Sequence, residues 1–112
     1  MAQSYKYSQV QGTASTGTYA TLYTTPAATQ ALISTILVCN TAATQTTIRI
    51  GLDDTEATPD AANGEWLVYD SVIEANDTLT LSLGIAMEAQ KYLRISSSDT
   101  AANFSAFVLE IT

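Results

Sequence analysis

No histidine occurs anywhere in the 112-residue chain. Its absence removes the commonest general base, the usual Ser and Cys triads and most zinc sites. A single cysteine, Cys39, excludes an intrachain disulfide. Lying in an apolar run, it reads as a buried thiol. Basic residues are almost as scarce: Lys6, Arg49, Lys91 and Arg94 stand against eleven acids, for a net charge of −7. Four scattered cations cannot track a phosphate backbone, so nucleic acid is not an expected partner. An acidic surface is poorly attracted to anionic lipid, and the longest apolar run, Ile36 to Cys39, is far too short to span a bilayer. No membrane partner is expected. The opening MAQSYKYSQV lacks the apolar stretch of a secretory signal, which points to synthesis in a cytoplasm.

Charge of either sign is low. Charged residues make up 13% of the chain, against roughly 25% in an ordinary soluble domain. Thr, Ser and Ala fill the places that Lys and Glu usually hold. A surface so poor in long charged side chains can be covered by other protein at low desolvation and rotamer cost, which suits a chain that lives in an assembly. Hydrophobic residues reach 46%, too many for intrinsic disorder. The length fits one domain with a core that needs no staples.

The strongest pattern is Gly64 to Gly84, GEWLVYDSVIEANDTLTLSLG. Leu79, Leu81 and Leu83 alternate with Thr78, Thr80 and Ser82, the period of two of a half-buried strand. The break Glu74-Ala75-Asn76-Asp77 suits a turn, so Trp66 to Ile73 and Thr78 to Leu83 are expected to form a hairpin. Four further strands precede or follow it at Thr18 to Thr25, Ala31 to Asn40, Thr46 to Leu52 and Lys91 to Ser97. A fifth, Asn103 to Ile111, closes the chain. In Ala31 to Asn40, Leu32, Ile36 and Val38 are expected on one face and Ile33, Leu37 and Cys39 on the other. In the closing strand, Phe107, Leu109 and Ile111 oppose Phe104, Ala106 and Val108. Both strands are apolar on both faces, as if one side met another subunit. Residues 86–90 form a connection with room for a helical turn. The expected fold is all-β: an antiparallel sandwich of about seven strands, immunoglobulin-like or jelly-roll-like, over residues 18–112. Residues 1–17 are expected to be an extended N-terminal arm, anchored on a neighbour by Tyr5, Tyr7 and Val10.

No catalytic pattern emerges. Asp53, Asp54, Glu56 and Asp60 lie in the irregular stretch 53–65, but the spacing of a calcium loop is missing, and the group reads as a solvated, self-repelling loop. No metal or other cofactor is expected, and no enzymatic activity. Trp66 and Tyr69 form the one candidate aromatic cluster for a protein or carbohydrate surface.

From about Tyr19 onward the stretches LYTTPA, ISTILVCNTA, YDSVIEANDTLTLSLGI and FSAFVLEI resemble small β-sandwich proteins of tailed-bacteriophage particles. The likeness is one of strand alternation and turns, and it carries no residue with a chemical role. Members often have a Gly-containing turn where this chain has Glu88-Ala89-Gln90-Lys91. The resemblance implies a virion structural protein on the capsid surface: a decoration or cement protein, a homotrimer that clamps subunits of the major capsid protein. Tail- or fibre-associated contact with a host surface, and a carbohydrate-binding module, stand as alternatives. The residues expected to meet a partner are Tyr5, Tyr7, Val10, Ile33, Leu37, Phe104 and Trp66.

Overall fold

A computed structural model describes residues 2–13, 18–54, 65–82 and 84–112. It contains nine strands among the described residues: β1 (Gln3–Gln11), β2 (Ala20–Thr24), β3 (Gln30–Asn40), β4 (Thr46–Asp53), β5 (Trp66–Ile73), β6 (Thr78–Leu81), β7 (Ile85–Met87), β8 (Tyr92–Ser97) and β9 (Ala102–Ile111). They make two antiparallel sheets. One, sheet I, runs β1-β9-β3-β6, with β7 paired to the same edge of β3 as β6; the other, sheet II, runs β2-β8-β4-β5. The all-β sandwich expected from the sequence is present, with nine strands in place of seven.

The pairing is nested. β1 pairs with β9, β2 with β8, β3 with β6 and β7, and β4 with β5. The chain is therefore one long antiparallel ribbon folded at the loop after β4 and rolled so that alternate pairs fall in opposite sheets. With β6 and β7 counted as one interrupted strand, this is the eight-stranded jelly roll. Backbone bonds between Ala2 and Thr112 close the open end of the ribbon, at 3.2 and 2.9 Å.

Two expectations change with this topology. β5 and β6 do not form a hairpin; they belong to different sheets, and Glu74-Ala75-Asn76-Asp77 carries the chain from one to the other. Asn40 fixes that crossing. Fully buried, its amide nitrogen donates to the carbonyls of Thr44, Ile73 and Glu74 at 2.8, 3.1 and 3.1 Å, and its amide oxygen accepts from the Ala42 N–H. Asn76 takes the left-handed conformation the turn requires, at φ 59°. The stretch 86–90 holds no helical turn: Ile85–Met87 is a strand, and Gln90, at φ 62°, turns the chain before β8.

Within the expected arm, residues 2–13 are part of the sandwich. Gln3–Gln11 is an edge strand paired with β9 along its whole length. A segment with few apolar residues can hold such a position because the ladder supplies its backbone bonds and only its inward side chains need cover. Val10 packs on the core, and the Ser8 hydroxyl donates to the Leu22 carbonyl. The end of the strand is locked more firmly. Thr13 and Ser97 exchange bonds through the Thr13 hydroxyl and the Ser97 backbone, both at 2.9 Å, and Gly12 N–H donates to the Ala102 carbonyl at 2.6 Å. The boundary expected at residue 17 lies outside the described residues.

The core between the sheets is built from Ile33, Ile36, Val38, Phe104, Ala106 and Val108 on one side and Leu22, Ile48, Ile50, Leu93 and Ile95 on the other. Full burial of each large aliphatic or aromatic side chain is worth about 1.5–3 kcal/mol. One β-bulge rewrites the expected facing of β3. The register shifts between Ile33 and Thr35, so Ile33 joins Ile36 and Val38 in the core, while Leu32 goes outward with Leu37 and Cys39. A second bulge, between Thr21 and Tyr23 of β2, turns Tyr23 into the core. There its hydroxyl donates to Glu110 at 2.5 Å.

Candidate interaction surfaces

The outer face of sheet II carries one organised side-chain cluster, and bulges in the edge strand β5 create it. Gly51 pairs with Trp66 and Ile50 with Val68, leaving Leu67 as an extra residue. A second shift, between Ile48 and Ile50, sets both Tyr69 and Asp70 opposite Arg49, and Asp70 sits at φ 53°. Bulges re-aim side chains in this way. Arg49, outward on β4, is consequently enclosed from three sides. Its Nε and Nη2 donate to the two carboxylate oxygens of Asp70 at 2.6 and 3.1 Å, and its Nη1 donates to the Tyr19 hydroxyl at 3.2 Å. The guanidinium carbon lies 4.1 Å from the centre of the Tyr69 ring and 5.9 Å from that of Trp66. Trp66 meets Tyr69 edge-on at 5.2 Å and Tyr19 at 5.7 Å.

Each contact is modest, about 0.5–1.5 kcal/mol for an aromatic pair or an exposed cation–π contact. Together they fix the orientation of the rings. The Asp70 hydrogen bond raises Arg49 above the usual guanidinium range, against the opposing effect of burial. Arg49 in turn holds the Asp70 carboxyl below the usual carboxylate value. Tyr69 remains exposed, and the charge beneath it is already satisfied. The cluster offers rigid ring surface and edge donors. Arg94 lies on the same face, in the cross-strand row Thr21–Arg94–Gly51–Trp66. Buried, it donates from Nη1 to the Thr21 hydroxyl at 2.5 Å.

The outer face of sheet I is of another kind. Across β1, β9, β3 and β7 runs the row Tyr5–Leu109–Leu32–Ala86, followed by Tyr7–Phe107–Thr35. Further along, Gln9–Ser105–Leu37–Thr80 and Gln11–Asn103–Cys39–Thr78 complete the sheet. One end of this face is apolar and aromatic, the other a lawn of amides and hydroxyls around half-buried Leu37 and Cys39. A groove of about 270 Å³ crosses the apolar end, lined by Tyr5, Lys6, Leu32, Ser34, Phe107 and Leu109 among others.

The seven residues expected at a partner surface divide three ways. Tyr5 and Tyr7 do face outward, 86% and 71% exposed, but from a strand. Leu37 lies half-buried on the same outer face, and Trp66 on the opposite sheet. Val10, Ile33 and Phe104 point inward; Ile33 and Phe104 are 1% and 0% exposed and serve the core. Period-two alternation gave Ile33 the wrong face because the bulge at Ser34 inserts one residue. Arg49, Asp70 and Tyr19 escaped the sequence reading altogether. The only signal was an outward Arg on a strand within reach of Tyr-Asp on another, which is invisible until register is known. Of the acidic stretch, Glu56 and Asp60 lie outside the described residues; Asp54 pairs with Lys91 at 2.6 Å. Among the described residues no three potential ligands converge on a metal position.

The arrangement has relatives in solved structures. A chain of the acid-stable capsid structure of Helicobacter pylori bacteriophage KHP30 superposes with a TM-score of 0.54 at 9% identity, over 100% of this chain and 89% of that one. The fold is that of virus-particle chains. Infectious bursal disease virus, Gx strain, provides a second match, with TM-score 0.55 and 14% identity over 98% of this chain. The T13 particle of the same virus provides a third, at 0.57 and 12% over 96%. Here the sandwich corresponds to only 33% and 30% of the viral chains. At such identities the likeness is one of fold. No protein-family model and no curated protein sequence matches the chain.

Proposed function

We propose that the protein is a structural component of a phage virion, a decoration or cement protein that binds the outside of a capsid and ties neighbouring major capsid protein subunits together. The observation that carries the reading is the Arg49–Trp66–Tyr69 cluster: an exposed Tyr69 ring set against half-buried Trp66 and Arg49, held in place before any partner arrives, and made of the residue types that dominate protein–protein hot spots. Three further features support it. The sandwich matches a phage capsid chain over its full length, the sequence resembles small phage virion proteins, and low charge makes the surface inexpensive to cover. The mechanism is binding energy alone: a protein that binds only the assembled shell stabilises that shell by mass action.

The test is co-sedimentation of the purified protein with shells assembled from the major capsid protein. Wild type should pellet with shells, and Trp66→Ala or Tyr69→Ala should weaken binding by about tenfold or more. Wild type left in the supernatant sinks the reading. The same cluster would also suit a tail or fibre component that touches a host surface. Copy number in purified particles separates the two: parity with the shell protein supports decoration, and a handful of copies supports the tail.

A further inference from the structure

The distribution of charge sets sheet I apart from the rest of the molecule. Its five strands hold only two charged residues, Lys6 and Glu110. Glu110 alternates to the inner side, where it accepts the bond of buried Tyr23, while Lys6, exposed on the edge strand, lines the apolar groove. The outward positions are Gln, Tyr, Ser, Thr, Asn, Leu, Ile, Phe, Ala and Cys alone. On a chain of net charge −7, the strands of this sheet set no acid on its outer face.

We infer that this face is where two copies of the chain meet. Two molecules that each carry −7 repel through most orientations, and a face without acids is where they can come together without setting acid against acid. A partner of different sequence could instead match the acidic surface with cations, so a face without acids favours self over a basic partner. The apolar end supplies the adhesion: Tyr5, Tyr7, Leu32 and Phe107 are all exposed there. A two-fold axis parallel to the strands lays apolar end on apolar end and amide lawn on amide lawn, which makes the contact isologous. Size is adequate. Four strands ~4.8 Å apart and about ten residues long at ~3.3 Å each project roughly 600 Å², close to the ~800 Å² per partner of a specific interface once side-chain relief is included. Two sheets so placed would pack as in an ordinary sandwich, ~10 Å apart. The assembly is then a dimer, in place of the trimer expected from the resemblance. It needs no assumption about a shell and leaves the Arg49 cluster, on the opposite sheet, facing outward on both copies.

Sedimentation equilibrium on the isolated protein tests this, independently of any capsid binding. Wild type should show a mass of two chains at tens of micromolar. Phe107→Glu and Tyr7→Glu, which set two like charges in the contact, should each weaken pairing by about 100-fold or more. Val72→Glu, on the exposed outer face of sheet II, should leave the dimer intact. Tyr7 is the safer probe if Phe107→Glu fails to fold, since its side chain lies 71% exposed; circular dichroism distinguishes the cases. A wild-type mass of one or three chains, a dimer indifferent to Tyr7→Glu, or one broken by Val72→Glu would each overturn the inference.

Discussion

Gly12 is the position where one methyl group should tell most about the N-terminal strand. A Cβ built there lies 2.8 Å from the Ala102 carbonyl oxygen, 3.0 Å from that of Asp99, and closer still to Ser97 Oγ. Two of these three are backbone atoms and cannot rotate away. Relief must come from displacing the strand end, which also breaks the Gly12–Ala102 bond and strains the Thr13–Ser97 exchange. Overpacking of this kind costs about 1–3 kcal/mol. Against it stands the stiffening of the unfolded chain by Gly→Ala, worth about 0.4–1 kcal/mol in favour of the variant. The net expectation for Gly12→Ala is a loss of about 1–2 kcal/mol, which for a domain of this size lowers Tm by roughly 4–8 °C. A thermal melt by circular dichroism measures it. Hydrogen exchange should locate it, with the amides of Gln3–Gln11 losing protection before those of β3 and β9. The sign is the sharp part. If Gly12→Ala raises Tm, the position is open and the lock at the end of β1 is wrong; if Tm falls while β1 keeps its protection, the strand is not held there.

Asn40→Ala should cost about 2–3 kcal/mol in urea unfolding, because the Thr44, Ile73 and Glu74 carbonyls and the Ala42 N–H lose their partner together; a change below ~0.5 kcal/mol would mean that water replaces the amide easily. Tyr23 gives a pH signature. Burial first, then the hydrogen bond to Glu110 and its negative charge, push the phenol well above its ordinary value. With the folded value above the unfolded value of about 10, the native state keeps a proton that the unfolded state sheds. The stabilisation is fully present below pH ~10 and declines as pH rises toward the folded value. Wild type should therefore lose stability above pH ~10 more steeply than Tyr23→Phe, and equal slopes would place the phenol in solvent.

Much of the architecture could be read from alternation. The all-β class and the inward set Ile48 and Ile50, Leu93 and Ile95 follow from period two, which also groups Phe104, Ala106 and Val108 on one face of the closing strand without saying that this face, with Phe104, turns into the core. What could not be read is whatever depends on one residue more or less. The bulge at Ser34 exchanges Leu32 and Ile33 between faces, and the bulges of β5 assemble the Arg49 cluster from residues that simple alternation keeps apart. Pairing partners were equally hidden. The Asn-Asp break has the local chemistry of a hairpin turn, yet the strands it joins find their partners elsewhere, because Asn40, more than thirty residues away, holds the crossing. β1 was misread for a related reason: an edge strand needs little hydrophobicity of its own when a long neighbour such as β9 offers it a full ladder.

The nested ribbon also sets an order of events during synthesis. β9 is the last strand in sequence, yet it lies between β1 and β3 and pairs with both. Until it has emerged, β1 has no ladder to join and sheet I cannot form; β8 does the same for β2 and β4 in sheet II. A nascent chain that stops before residue 93 contains the partners of the β4–β5 and β3–β6 pairs and lacks the strands that join them to β1 and β2. Folding of the sandwich is thereby postponed until β9 has been made, and its long-range pairing is slow; a ribosome that stops before then releases a chain without its central strands, exposed to aggregation.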